Sequence, residues 1–352
     1  MKIGFPVLIK ASAGGGGKGM RIVNQESEFE AELNGAKREA KNAFGDDTVL
    51  LEKYFTNPRH IEVQVMSDQF DNHFHFFERE CSIQRRHQKI VEEAPAFNLP
   101  PEIKSRMFAE AIKICKKIKY RGAGTLEFIY DNELNDFYFL EMNTRLQVEH
   151  PITELTTGFD LVKLQIMVAE GLDLSKVLNQ KDITQKGHAI EVRLYAEDPD
   201  NEFLPTIGEI RHIGTPSLNG VRLDCGFVVG NVIGLNYDPM LAKLITYGTT
   251  RTDAISKLKI SLNEVVFAGV KNNRDYLQRI LGLDEYVQGK ITTQFVNRYK
   301  EKLAKKKLSE TDIANLVGGF LFLSMQKNQS EKAGSESRVV DPWNNLGNFR
   351  NN

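Results

Sequence analysis

Three cysteines, Cys81, Cys115 and Cys225, are all that this 352-residue sequence carries, far apart and without a Cys-x-x-Cys pair. That scarcity argues against structural zinc and against a disulfide framework. It places the chain in a reducing compartment, read as cytoplasmic, or as the mitochondrial matrix for a eukaryotic chain with a truncated start. Long apolar runs are missing too: Ile313 to Met325, the most apolar late stretch, is too short to cross a bilayer and contains Gly318-Gly319. No secretory leader is visible, because Met1-Lys2 leads straight into Gly4-Phe5-Pro6 and a strand. A net charge of −1 gives no electrostatic reason to expect nucleic acid or an anionic membrane as partner. What is present, 41% apolar and 26% charged residues, excludes wholesale disorder and leaves room for about two domains.

The first unusual stretch is KASAGGGGKG at residues 10–19. A P-loop is excluded, since Gly17-Lys18 is followed by Gly19 and Ser12 stands where the first glycine should fall. Gly14, Gly16 and Gly19 formally meet the dinucleotide pattern G-x-G-x-x-G, but that pattern should open a helix. Here Met20-Arg21-Ile22-Val23 reads as a strand. The run is therefore a glycine flap between two strands, with Lys10 as a fixed cation at its base.

Periodicity predicts a helix over 26–45, with Phe29, Leu33, Ala36, Ala40 and Phe44 on one stripe and Gly45 ending it. Val49–Phe55 reads as a strand, and His60–Val65 alternates strictly, as a half-buried strand does. Residues 73–83 read as its antiparallel partner through a turn at 68–72. A helix at 101–119, strands at 124–130 and 137–145, and a helix at 160–171 follow. From Gly187 the texture becomes richer in strands, with helices near 252–267 and 273–281. Beyond about 298 the chain is lysine-rich, and a Ser/Gly/Asn-rich tail from about 327 is expected to be poorly ordered.

Four groups of residues carry chemistry. In the hairpin GAGTLEFIYDNELNDFYFLEMNTR, Glu127 points away from Leu126 and Phe128, while Glu141, Asn143 and Arg145 share one face. Two carboxylates and an amide oxygen on adjacent strands suit magnesium bridging nucleotide phosphates. In Gln147-Val148-Glu149-His150-Pro151, Glu149 is either a general base or a salt-bridge partner of Arg145, whose planar fork suits a small anion. The segment from Glu78 to Lys89 gathers Arg79, Arg85, Arg86, Lys89 and His87 after a strand, where an anion could collect. Glu191 and Arg193 lie on the polar face of AIEVRLYA, where a structural ion pair is the plainer reading. Cys81 reads as a bystander, and so does Cys115 on an apolar helix face. Together these features indicate a nucleotide-dependent ligase without a P-loop.

The segments GFPVLIKASAGGGGKGMRIV, ERECSIQRRHQKIVEEAPA, GAGTLEF, FLEMNTRLQVEHPITE, GHAIEVRLYAEDP and YDPMLAKL resemble biotin carboxylase, the ATP-grasp component of biotin-dependent acyl-CoA carboxylases. The resemblance spans roughly residues 3–298, and the tail, with DIANLVGGFLFLSM, is similar to α-subunits of the methylcrotonyl or propionyl type. It implies an α+β chain: a partial ATP-grasp lid at 1–55, an ATP-grasp core with an antiparallel sheet at 56–186, a biotin carboxylase C-terminal domain at 187–298, and a linker into a further domain at 299–352. The implied reaction is ATP-dependent carboxylation of biotin by bicarbonate through carboxyphosphate. Lys10 would touch the ATP phosphates under a lid of Gly15, Gly16 and Gly17. Glu52 and Lys53 would line the adenine pocket, with His60, Gln84 and His87 near the ribose. Glu127 and Glu141 would bind Mg2+ or Mn2+ beside Asn143. Lys89, Arg145, Gln147 and Val148 would hold bicarbonate, Glu149 would take its proton, and Arg193 would stabilise the biotin enolate.

The implied partners are a biotin carboxyl carrier domain and a carboxyltransferase subunit, in a homodimer or larger complex. The family carries about one further domain and a second ATP-contacting lysine ahead of the region matched here. It also carries a biotinyl domain with a Met-Lys-Met acceptor. Lys18 stands where many relatives have arginine. The expectation is a chain that holds the site residues yet turns over weakly alone. Another ATP-grasp ligase, such as a carbamoyl-phosphate synthetase half, and a non-catalytic carboxylase fragment are the competing readings.

Overall fold

The computed structural model describes residues 4–13, 20–86, 88–305 and 309–333, the last eight for backbone alone. Gly15, Gly16, Gly17 and His87 lie outside the described residues, as does the tail beyond Ala333.

Strands β1 (Val7–Ala11), β2 (Met20–Val23) and β3 (Val49–Lys53) form an antiparallel sheet in the order β2-β1-β3. The segments flanking the glycine run are thus cross-strand partners, with Lys10 opposite Met20. Helix α1 (Glu26–Phe44) covers this sheet. Its Ala36, with half-buried Phe29 and Leu33, packs on Val7, Ile9 and Val23, as the stripe predicts. Gly45 takes the left-handed conformation (φ 76°) that stops the helix, and its N–H donates to the carbonyl of Lys41.

The larger sheet comprises β4 (Arg59–Ser67), β5 (His73–Arg85), β6 (Gln88–Ala94), β7 (Gly122–Asp131), β8 (Asp136–Asn143), β9 (His188–Tyr195), β10 (Val221–Cys225) and β11 (Met240–Gly248). Its order is β10-β11-β9-β6-β5-β4-β7-β8, and every pairing is antiparallel. On one face Ile61, Val63, Leu126 and Phe128 pack against Ile103, Met107 and Ala111 of helix α2 (Pro101–Ile118). Further along, Val192 and Leu194 join Leu258 of α5 (Arg251–Glu264) and Leu277 of α6 (Arg274–Gly282).

The opposite face is where sequence and structure part. Strict alternation predicts a half-buried β4, yet all nine residues of β4 are buried, as are all eight of β9. Helices α3 (His150–Thr157) and α4 (Leu161–Ala169) account for part of this. Ile152 of α3 packs with Ala94, Ala189 and Ile245, and Leu161 and Leu164 of α4 pack with Met66 and Phe76. A polar strand face with such neighbours must satisfy its charges internally, because burying an unpaired ion is costly.

Two further expectations are corrected. Strand β8 ends at Asn143, so Arg145 is not on the strand and does not share its face. The basic segment does not follow a strand; Glu78–Arg85 belongs to β5 and Lys89 to β6. Residues up to Ala304 form one compact unit and Lys305 onward a second. In the second unit a helix, Glu310–Ala333, runs past residue 327, where poor order is expected from composition. Its start is fixed reciprocally: Ser309 N–H donates to Asp312 Oδ2 at 3.0 Å and Asp312 N–H to Ser309 Oγ at 3.1 Å. Among the described residues no helix is long and apolar enough to cross a membrane.

Candidate active site

Strand alternation explains why the site exists. Ile61, Val63 and Val65 belong to the core of β4, which turns His60, Glu62 and Gln64 to the other face. Register then assembles a row: Glu62 is opposite Glu127, and Glu127 is opposite Glu141. Directly opposed residues have Cβ atoms about 4.5–5.5 Å apart, so the two carboxylates of the 127/141 pair project side by side. Asn143, two residues along β8, sits opposite Thr125 on the same face.

Lys89 is the hub. Its Nζ donates to Glu62 Oε2 at 2.6 Å, Glu149 Oε1 at 2.7 Å and Glu127 Oε1 at 2.8 Å. Burial works against its charge, but Glu62, Glu149 and Glu127 outweigh burial and hold its pKa well above the usual lysine value. Burial likewise pushes Glu62 up, yet Arg79 and Lys89 overcome it and leave the carboxyl at about 2. Glu127 also falls to about 2, since His60 and Lys89 more than offset burial. His60 Nε2 lies 3.2 Å from Glu127 Oε2, and the Gln84 amide donates to His60 Nδ1 at 2.8 Å. That bond leaves the ring proton on Nε2, toward Glu127.

Arg79, fully buried, spreads its fork over Glu62 Oε1 (2.5 Å), Gln64 Oε1 (2.7 Å), Thr153 Oγ1 (3.1 Å) and Thr125 Oγ1 (3.3 Å). It ties β5 to β4, β7 and α3. Glu149, just before α3 and 0% exposed, gives its second oxygen to Arg193 Nη2 at 3.1 Å, and Arg193 Nε reaches Glu92 Oε1 at 2.6 Å. Glu149 is thus held between two cations, neither of which is Arg145. Arg145 is exposed and donates to Gln147 Oε1 at 3.3 Å, so the Glu149–Arg145 salt bridge is not formed. Lys243 Nζ donates to the Val148 carbonyl at 2.8 Å.

The candidates on the smaller sheet form a separate group. Lys10 Nζ is 3.9 Å from Glu52, and Lys53 Nζ donates to the Phe5 carbonyl at 3.3 Å. Cys81 is nearer the chemistry than a bystander reading implies: one ligand atom each from Cys81, Glu62 and Glu149 lie within 4.8 Å of one another. Burial first, then Glu62, pushes its thiol well above the usual cysteine value, so it is neutral there. Cys115 is buried in the α2 core. Sequence reasoning missed Glu62, Glu92 and Lys243 as site residues, and it counted Arg79 among cations collecting an anion, whereas its partners are the side chains of Glu62, Gln64, Thr125 and Thr153. The signal was available for Lys243, the one charged residue of its strand, set between Ala242 and Leu244.

The residues fit a hard divalent cation. The donors of Glu127, Glu141 and Asn143 are carboxylate and amide oxygens on one face of adjacent strands, the donor type that such a cation takes. Lys89 already balances Glu62 and Glu127. Glu141 is exposed and makes no ion pair with the described residues, so it can meet an ion from the open side.

Residues 1–177 match the carbamoyl-phosphate synthase L chain ATP-binding domain, and residues 191–298 match the biotin carboxylase C-terminal domain. The methylcrotonoyl-CoA carboxylase α subunit of Mus musculus, described as mitochondrial, is 48% identical over 303 residues, covering 86% of this chain and 42% of that protein. That of Dictyostelium discoideum is 44% identical over 353 residues, covering all of this chain and 50% of that protein. The chain thus spans half or less of these relatives' length. The biotin carboxylase domain of Hydrogenobacter thermophilus 2-oxoglutarate carboxylase, in complex with MgADP, ADP and bicarbonate, superposes with a TM-score of 0.82. It is 42% identical, covering 87% of this chain and 67% of that one. The architecture is therefore the ATP-grasp fold, with a biotin carboxylase C-terminal region built into its main sheet. The chain belongs to the biotin carboxylase family.

Proposed function

We propose that this chain carries out ATP-dependent carboxylation of biotin, presented on a carrier domain, as the first half-reaction of an acyl-CoA carboxylase. The observation that carries this reading is Glu149 fixed between Lys89 and Arg193, on the face that also presents Glu127 and Glu141. Phosphoryl transfer needs chiefly positioning and charge neutralisation. Lys10 with Gly15, Gly16 and Gly17 is assigned to the ATP phosphates, and Glu52, Lys53, His60, Gln84 and His87 to the nucleoside. Glu127, Glu141 and Asn143 would hold Mg2+ or Mn2+, which when bound neutralises phosphate charge.

Bicarbonate, held by Lys89, Arg145, Gln147 and the Val148 backbone, attacks the γ-phosphate, and the bond to the β-phosphate breaks to release ADP and give carboxyphosphate. Glu149 takes the bicarbonate proton, its two oxygens oriented by the two cations. The phosphate released as carboxyphosphate breaks down takes the proton of the biotin ureido nitrogen. Arg193 stabilises the resulting enolate, a charge that a fixed cation stabilises most in a dry site, and the nitrogen takes up the carboxyl group. The matched names favour a methylcrotonyl-type acyl-CoA carboxylase as the parent complex, with a carboxyltransferase subunit and a second copy of the chain as partners, in the mitochondrial compartment those names give.

The test is ADP formation by the 352-residue chain with and without bicarbonate and free biotin. Stimulation by biotin that is lost in Glu149→Gln supports the proposal. ATP cleavage indifferent to biotin points to another ATP-grasp ligase, and failure to bind ATP points to a non-catalytic subunit.

A further inference from the structure

Two acids next to Arg193 have no role in the reaction as derived. Glu92 of β6 and Glu191 of β9 are cross-strand partners, so their carboxyls lie on the same face about 4.5–5.5 Å apart at Cβ. Both are 0% exposed. Among the described residues, Glu92 Oε2 and both oxygens of Glu191 have no hydrogen-bond donor, although Glu92 Oε1 accepts from Arg193 Nε at 2.6 Å. Two ionised carboxylates this close, out of water and three donors short, repel strongly; one proton shared between them removes the repulsion and supplies a donor.

We infer that Glu191 is a protonated acid whose hydroxyl donates to Glu92 Oε2, and that the pair, as one negative charge, positions Arg193. This completes a chain of contacts, Glu191 to Glu92 to Arg193 to Glu149 to Lys89, that orients the two groups assigned to the bicarbonate proton and the enolate. The groups facing the pair are Arg193 and Tyr195 of β9, Lys89 of β6, Cys81 of β5, Lys243 of β11 and Glu149. Burial, then Glu92, raises Glu191 well above the usual carboxyl value despite Lys243 and Arg193. Burial also raises Glu92, to about 7 against the pull of Arg193. Glu92 and Glu191 are positioning residues, since neither is assigned a contact with substrate.

The catalytic consequence rests on the biotin carboxylation reading; the proton does not. Infrared spectroscopy of the full chain at neutral pH should show the carbonyl stretch of a buried protonated carboxyl, absent in Glu191→Gln. In turnover, Glu191→Gln permanently mimics the neutral acid, so its activity should persist at alkaline pH where the wild type declines. Glu191→Ala, which removes the donor, should lose about 10–100-fold in kcat with KM for ATP little changed. A wild-type spectrum without that band, a band that survives Glu191→Gln, or an unaltered alkaline limb in Glu191→Gln overturns the inference. A chain that shows the band yet never responds to biotin retires the functional reading and supports the pair. An active chain lacking the band does the reverse.

Discussion

Lys89 Nζ and Glu149 Oε1 are 2.7 Å apart, and that contact joins β6 to the start of α3. The same ammonium also neutralises Glu62 and Glu127, so it serves as the counter-ion for three carboxylates at once.

Lys89→Met should therefore be damaging to the fold as well as to turnover. Removing one partner of a buried ion pair costs about 3–5 kcal/mol, because the other charge is left uncompensated. Urea unfolding followed by circular dichroism should show a midpoint lowered accordingly. A variant as stable as wild type would mean the three acids find other partners.

Arg79→Lys should also destabilise, by about 2–5 kcal/mol, although charge is preserved. The guanidinium reaches four acceptors on three elements, β4, β7 and α3, and a single ammonium cannot span them. The comparison that checks this is Arg79→Lys against Lys→Arg at an exposed position such as Lys113, where no change is expected.

Glu127 and Glu141 should separate in their effects. Glu141→Gln touches no buried ion pair, so it should raise the Mg2+ or Mn2+ concentration needed for ATP cleavage while leaving the melting temperature near wild type. Glu127→Gln should do both kinds of harm, since it also breaks contacts to Lys89. Metal titrations paired with thermal melts read the two effects separately. Equal metal dependence of Glu141→Gln and wild type would remove Glu141 from the cation site.

Stability should depend on pH with opposite signs from two groups of acids. Glu62 and Glu127 sit at about 2, and so does buried Glu93 of β6, where Arg251 and His188 outweigh burial. All three lie below their ordinary 4.5, so their contribution is present above 4.5 and lost as pH falls through about 2. The Glu92–Glu191 pair, in which burial raises both carboxyls, contributes stability fully present below 4.5 and lost as pH rises to neutrality and beyond. Unfolding midpoints measured from acid to mildly alkaline conditions should be highest between these limits and decline on both sides. In Glu92→Gln the decline near neutrality should flatten.

Much of this was readable from residues alone. The 2.0-residue period placed β4, β7 and β9, and it put Glu127 and Glu141 on one face as the register has them. The glycine run is flanked by the strands that VLI and MRIV indicate. What alternation could not show is that the polar face of β4 is covered. A half-exposed and a fully buried strand share the same local pattern when the buried polar face pairs with itself, and Glu62 finds Arg79 and Lys89 only through strand pairing. Arg145 was misplaced for a related reason. The strand stops at Asn143, and nothing in Asn-Thr-Arg-Leu marks that end with a proline or glycine. Glu92 and Glu191 become neighbours because β6 pairs with β9 across about a hundred residues of sequence, a separation no local motif reports.

That β6–β9 pairing reaches further than the ion pairs it aligns. Strand β6 lies in the stretch matching the carbamoyl-phosphate synthase ATP-binding domain, and β9 overlaps the start of the one matching the biotin carboxylase C-terminal domain. Backbone hydrogen bonds weld the two into one continuous plate. Neither half can hinge against the other without tearing a ladder, so any opening for substrate must come from groups mounted on the plate's surface. Cleaving the chain at residues 178–187 should accordingly yield two fragments that stay associated, not two that drift apart.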